Sequence, residues 1–331
     1  MKLLETKSLY YNDVNMIAAP TVIPSRKLIP EEKNRVMVSP MQSVIGPTFA
    51  KKALSLGLSV CLHRFDSTLE KRIGLLEEVK SHKYPNDEIL KNNLWVSLEL
   101  KNISNALELI NHGAENIIID IANGYMLGLI DYTKELVTKA NGKVKKVMLG
   151  NIHSAEMLPY YLGLSQELDL PIYYRCGIAS GSACNTKGMT GYNRGQITEI
   201  AECAEFSKDH PNLVLVADGG IKDPACASKA FGAGAEFLMM GGYFSYAKES
   251  QHVIDEIYKF WGGASEFQQI LTNGEATRHS EGKELHIDKT QLTSLDKLVD
   301  NLWGGISSAV SYSGYPSLCD FVGNATFEEI K

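Results

Sequence analysis

The chain lacks the signatures of several large classes of protein. None of its six cysteines, at 61, 176, 184, 203, 226 and 319, forms a Cys-x-x-Cys pair, so neither a zinc ribbon nor a dithiol redox motif is supported. There is no His-x-His, no His-Glu-x-x-His and no cluster of acidic residues of the kind a catalytic metal needs. No block of lysine or arginine stands out and the formal net charge is −6, which argues against nucleic acid as a partner. The longest apolar runs, such as Asn116 to Ala122, are far too short to span a membrane. The stretch Met1 to Asp13 is polar and has no signal-peptide core. Unpaired thiols and such an N-terminus make the cytoplasm the expected setting. Internal repeats and low-complexity segments are absent too.

What is present is a core-forming composition, 44% hydrophobic and 22% charged over 331 residues. Short β-rich runs recur at 36–38, 59–63, 94–100, 116–122, 146–152, 171–177, 214–220 and 235–242. Segments of helical character separate most of them, as at 47–56, 104–111, 129–140 and 224–231. Eight strands alternating with helices predict a parallel (β/α)8 barrel in one domain, 1–331. An open doubly wound sheet is the competing fold, but no Gly-x-Gly-x-x-Gly follows the first strand. The interval between strands six and seven is long. After strand eight, residues of about 243–292 read as an inserted flap, before helical periodicity returns over 294–311. Residues 81–91 read as a surface loop.

The long sixth interval holds Gly181-Ser182-Ala183-Cys184-Asn185-Thr186. A thiol among small residues at the mouth of a barrel can be approached closely, as a nucleophile must be. Elsewhere a free cysteine is more often an inert small hydrophobe, and Cys61, Cys176, Cys203 and Cys226 read that way. Two glycine pairs, Gly219-Gly220 and Gly241-Gly242, end strands seven and eight, where barrels often offer bare N–H groups to phosphate. Tight turns alone would also use glycine there. Asp218 can accept hydrogen bonds from a ribose diol, since Asp223-Pro224 already supplies a helix cap. Asp120 faces the same mouth; with Asp218 it echoes the carboxylate pair of barrel glycosidases, a reading that leaves the cysteine loop unexplained. A Schiff-base reaction needs a lysine at a strand end, and the sixth strand offers Arg175 instead. His63-Arg64, ending strand two, is either a packed pair or a cofactor contact. In the flap, Glu281 would become desolvated and able to exchange protons if the flap closed over Cys184.

Taken together, these residues resemble the IMP dehydrogenase/GMP reductase family, and within it GMP reductases more closely. The resemblance runs through Ser25-Arg26, Met41, His63-Arg64, Asp120 to Tyr125, Gly150-Asn151, Gly181 to Thr186, Glu202 to Ala204, Asp218 to Gly220, Lys229 to Gly234, Gly241-Gly242, Arg278 to Lys283, and Gly304-Gly305 with Tyr312 and Gly314. It implies a barrel that binds a purine 5′-monophosphate, with Cys184 attacking purine C2 and Thr186 and Glu281 moving protons. Asp218 would hold the ribose, Gly220, Gly241 and Gly242 the phosphate, and Ser182 and Gly219 would also touch substrate. Gly262, Gly263, Ser265, Arg278, Ser280 and Gly282 would surround the base. NADPH would lie on Ser25, Arg26, Arg64, Asp120, Ile121 and Ala122, with Ser308 and Ser311 reaching it from a neighbouring subunit of a homotetramer. A monovalent cation, potassium, would sit on the backbone of Gly181 and Cys184.

The chain departs from the family pattern at Ala179, in place of the middle glycine before the cysteine. It departs again at Lys187, in place of arginine, at Gly195, in place of the usual proline before Gln196, and at Gln42, in place of aspartate. Three activities stay open at this point: reductive deamination of GMP, oxidation of IMP with NAD, and non-catalytic nucleotide binding. The first is expected. No interval between strands can hold the regulatory domain usual in IMP dehydrogenases, and the flap has Arg278-His279 rather than a water-activating Arg-Tyr pair.

Overall fold

A computed structural model describes residues 7–250, 253–254, 257–276 and 279–330. Eight parallel strands close into a barrel in chain order: β1 (Val36–Val38), β2 (Ser59–Leu62), β3 (Leu94–Leu98), β4 (Asn116–Ile119), β5 (Lys146–Ile152), β6 (Ile172–Cys176), β7 (Leu213–Asp218) and β8 (Phe237–Met240). β8 returns to β1 with Met37 opposite Met239. The (β/α)8 architecture predicted from the alternation is the one found.

Strands buried on both faces need apolar residues of both parities. Met37, Cys61, Trp95, Ile118, Met148, Tyr173, Val216 and Met239, one from each strand, fill the barrel interior. Their neighbours of the opposite parity, such as Val36, Val60, Val96 and Ile117, pack outward under the helices. The helices begin where the sequence supplies caps. Asn102 accepts from the N–H groups of Ser104 and Asn105 ahead of Ile103–Asn111, and Asp223 accepts from Cys226 N at 2.8 Å ahead of Pro224–Gly232. The helix Leu295–Tyr312 buries Leu295, Val299, Leu302, Trp303, Ile306 and Val310 along one stripe.

Three features differ from the sequence reading. The 81–91 surface loop carries the start of a helix, Glu88–Asn93, whose Ile89 is buried. The flap is organised as an antiparallel sheet of Val253–Ile254, Ile257–Trp261 and Glu284–His286, with the helix Glu266–Asn273 beside it. Val14–Met16 pairs with Phe327–Glu329, joining the two ends of the chain outside the barrel. Among the described residues no helix is long and apolar enough to cross a membrane.

The turn out of β6 constrains the backbone tightly. Gly177 has φ 141°, and a Cβ there would lie 1.8 Å from the Asp218 carbonyl oxygen. Ala179, two residues on, holds φ 63°, which glycine would hold without strain. Gly177→Ala is therefore expected to lower unfolding stability by roughly 2–4 kcal/mol. Ala179→Gly should leave it unchanged or raise it by up to about 1 kcal/mol. Urea titrations of both variants followed by circular dichroism measure this contrast, and equal small shifts would refute it.

Candidate active site

A cavity of about 850 Å³ opens at the C-terminal ends of the strands, between the loops after β1, β2, β4, β6, β7 and β8 and the flap. Cys184 is only partly buried and lines this cavity, whereas Cys61, Cys176, Cys203 and Cys226 are buried and Cys319 is exposed elsewhere. Its loop turns tightly, with Cys184 N donating to Gly181 O at 3.0 Å, and runs into the short helix Thr186–Thr190. The Cys184 thiol donates to Thr186 Oγ1 at 3.3 Å, and the Thr186 hydroxyl donates to Glu281 Oε2 at 2.7 Å. Glu281 arrives from the flap. Main-chain bonds hold it there: Asn185 N donates to Glu281 O at 2.6 Å and Lys283 N to Ala183 O at 2.9 Å. A thiol, a hydroxyl and a carboxylate in line can pass a proton between a nucleophile and a base.

Below this relay a layer of charge caps the apolar barrel interior. Arg175 on β6 donates to Asp120 Oδ1 at 3.1 Å and lies 3.7 Å from Asp218 Oδ2. Arg64, stacked over the Phe65 ring, donates to Asp120 Oδ2 at 3.1 Å. Asn151 donates its amide to Asp218 Oδ2 at 2.8 Å and to Gly177 O at 2.9 Å. The two aspartates consequently titrate apart. Burial works to raise the Asp120 carboxyl, but the guanidinium groups of Arg175 and Arg64 overcome it and hold the group below its usual range. At Asp218 burial prevails over Arg175 and Asn151, and the carboxyl lies above its usual range.

The glycine pairs reach the same cavity. Gly219 (φ 88°) and Gly220 (φ 73°) turn the chain beyond Asp218 in a conformation that favours glycine. Gly242 abuts Ser182, whose hydroxyl would lie 2.9 Å from a Cβ there, and Gly241 abuts Met41. Gly262, Gly263 and Gly282 also line the cavity, as do Ile121 and Ala122.

Other residues singled out in the sequence lie away from the cavity. Ser265 is buried and caps the flap helix by accepting from Gln268 N. Ser280 donates to Ala264 O at 2.8 Å. Arg278 lies outside the described residues. Arg26 donates to Ser308 Oγ at 3.0 Å on the outer face of the barrel, where Ser25 caps a short turn; Ser311 is buried along the same helix as Ser308. His63 is buried and accepts from Phe65 N, the packed alternative. Asn151 and Arg175 line the cavity without having been singled out for it. A charge in the apolar run of β6 was the available signal for Arg175. Among the described residues no group of three or more His, Cys, Asp or Glu could hold a metal ion.

The chain is thus a closed parallel barrel with a thiol loop after β6 and a covering flap. Residues 29–331 match the IMP dehydrogenase / GMP reductase domain, and the chain belongs to that family. It is similar to the GMP reductase of Caenorhabditis elegans, 30% identical over 218 residues that cover 64% of this chain and 58% of that protein. Human GMP reductase 1 is 28% identical over 69% of this chain and 65% of its own length. The GMP reductase of Aliivibrio salmonicida is 26% identical over 89% of this chain and 83% of its own. The match thus spans less than two thirds of the nematode and human proteins.

Removing the central cation tests the charged layer. Arg175→Met should cost about 3–5 kcal/mol of stability at neutral pH, because it leaves buried carboxylates without their partner. The deficit should shrink as pH falls towards 5. Asp120 of wild type, held below its usual range, stays ionised across this window; in the variant the buried carboxylates have lost a cation, burial raises them, and acid neutralises them. Urea unfolding at pH 7 and pH 5 gives both differences, and a pH-independent deficit would contradict this account.

Proposed function

We propose that the chain is a GMP reductase-like oxidoreductase, converting GMP or a close guanine 5′-monophosphate to IMP and ammonia with NADPH. The observation that carries this reading is the Cys184–Thr186–Glu281 relay, closed under the flap at the mouth of the cavity. The family relationship and the similarity to GMP reductases support it. The Cys184 thiolate attacks purine C2, and Thr186 and Glu281 supply the proton with which the 2-amino group leaves as ammonia. The product of that step is a thioimidate. NADPH, held by Arg64 and the Asp120–Ala122 segment, would supply the hydride to C2; departure of the Cys184 sulfur from C2 then gives IMP and the free thiolate.

The residues facing the cavity fit these ligands. Asp218 holds the ribose hydroxyls, and Ser182, Gly219, Gly220, Gly241 and Gly242 the phosphate, with no side chain to obstruct it. Gly262, Gly263 and Gly282 form the wall beside the base. Arg64 and the Asp120–Ala122 segment, open to the same cavity as Cys184, hold the cofactor. Ser25 and Arg26 contact the cofactor from an outer face, where Arg26 meets Ser308, and Ser308 and Ser311 serve a neighbouring copy in a homotetramer. The direction follows from the proton chemistry. The relay can move protons to and from ammonia, while the flap has no Arg-Tyr pair to activate water.

With GMP the enzyme should consume NADPH and release ammonium in equal amounts. Cys184→Ala should abolish turnover and leave GMP affinity within a few-fold, and Glu281→Gln should slow turnover by about 10²–10⁴-fold. Coupled absorbance and ammonium assays with calorimetry read all three. IMP-dependent reduction of NAD without ammonium release from GMP would overturn the proposal.

A further inference from the structure

Behind the flap, outside the cavity, lies a buried carboxamide network. Gln268, on the helix Glu266–Asn273, is 2% exposed. Its Oε1 accepts from Trp261 Nε1 at 2.9 Å, and its Nε2 donates to Gln42 Oε1 at 2.8 Å and to Thr272 Oγ1 at 3.0 Å. Gln42 belongs to the loop after β1, so this one side chain ties the flap helix and a flap strand to the barrel. Two further bonds fasten the same corner: Ser43 Oγ donates to Trp261 O at 3.1 Å, and Thr272 Oγ1 donates to Phe65 O at 3.3 Å. The bonds from Trp261 Nε1 to Gln268 and from Ser43 to Trp261 O are buried and the others partly so; breaking the buried ones leaves a polar group unsatisfied, so the arrangement holds its geometry.

The segment that follows Trp261 is the one that backs Glu281. Gly262 N donates to Lys283 O at 3.1 Å, Gly282 N to Ala264 O at 3.1 Å and Ser280 Oγ to Ala264 O at 2.8 Å. The fit has no slack. A Cβ on Gly282 would lie 2.4 Å from Ser265 N, and one on Gly262 would lie 2.6 Å from Ala183 O. Residues 280–283 are thus gripped between the cysteine loop and residues 262–265, and a shift of 262–265 must move Glu281 relative to Thr186.

We propose that Gln268 is a positioning residue: its buried carboxamide, braced on Gln42 and Trp261, fixes residues 262–265 and through them the placement of Glu281 on Thr186. It does not line the cavity and touches no reacting atom. Its effect on turnover is therefore an effect on Glu281. This inference rests on the reductase reading for its kinetic readout and on the structure alone for its second readout.

The test is a double-mutant cycle of Gln268→Leu with Glu281→Gln, read as kcat with GMP and NADPH and as GMP affinity by calorimetry. Gln268→Leu should lower kcat by about 10-fold or more with affinity changed less than about threefold, a loss expected of a displaced catalytic group. In the Glu281→Gln background the same substitution should cost less than about twofold, because its target is already gone. Additive losses would overturn the proposal and leave Gln268 a merely structural strut. If Gln268→Leu does not fold, Gln42→Met, which removes the brace and spares the Trp261 bond, carries the same cycle. Hydrogen exchange is the readout independent of chemistry. Peptides covering 262–265 and 280–283 should exchange at least about 10-fold faster in the variant, with the barrel strands unchanged. Unchanged protection there sinks the proposal even if GMP turns out not to be the substrate; absent turnover with GMP in wild type counts against the reductase reading alone.

Discussion

Arg175 carries the one interaction on which the active end of the barrel depends. Its guanidinium is almost wholly buried, donates to Asp120 beyond β4 and faces Asp218 at the end of β7. Those strands leave the apolar interior, with its layer of Met37, Trp95, Tyr173 and Met239, and must end among polar groups. A cation set among carboxylates lets them do so without water entering the barrel. Asn151 from β5 joins by holding Asp218 and Gly177 together. The ends of β4, β5, β6 and β7 are thereby registered against one another, and the cysteine loop departs from a fixed point. The resulting pair of aspartates, one below its usual pKa and one above, follows from the same asymmetry: Asp120 has two guanidinium partners, while Asp218 shares one of them from a greater distance.

The cysteine loop itself has little core of its own. Between Gly177 and Thr186 only Ala183 is a buried apolar residue. Its shape comes from two sides: the crowded turn against Asp218 below and main-chain bonds to 281–283 above. A loop built this way is assembled by the flap that covers it. The flap supplies Glu281, so the carboxylate reaches Thr186 through the same main-chain bonds that hold the loop to the flap.

Much of the barrel was legible because its signals are local and repeated. Runs such as Asn116–Ile119 and Lys146–Ile152 are apolar on both faces, and Asn102 and Asp223-Pro224 announce helix starts chemically. The pairing of Val14–Met16 with Phe327–Glu329 was not legible, since three-residue strands carry no period and their partners lie at opposite ends of the sequence. The flap sheet was hidden for a related reason: its middle strand, Ile257–Trp261, lies among polar and glycine residues that read as loop. In the candidate site, motif and resemblance singled out Cys184, Thr186 and Glu281, which the fold brings into hydrogen-bond reach of one another. A serine before a helix reads equally well as a ligand contact or as a cap, and Ser265 caps the flap helix. Arg175 and Asn151 were passed over because their role lies in what they hold, which only tertiary geometry reveals.

The departures from the family pattern have local physical settings. Gly195 lies where a Cβ would be 2.3 Å from Leu9 O, and Leu9 O in turn accepts from Ile197 N, so the N-terminal segment occupies the space a larger residue would need. Gln42, too long and uncharged to act as an aspartate would, reaches Gln268 across the flap boundary. Ala179 keeps the left-handed turn at the cost of some strain. Gly195 and Gln42 lie outside the cavity lining, whereas Ala179 is part of it and keeps the backbone path through its left-handed turn. The relay residues have no such latitude. A thiol, a hydroxyl and a carboxylate at hydrogen-bond spacing act through their own atoms, and no rearrangement of neighbours can substitute for a missing group. On the proposed reading, divergence around the relay is compatible with its function as long as the distances from Cys184 to Thr186 and from Thr186 to Glu281 are kept.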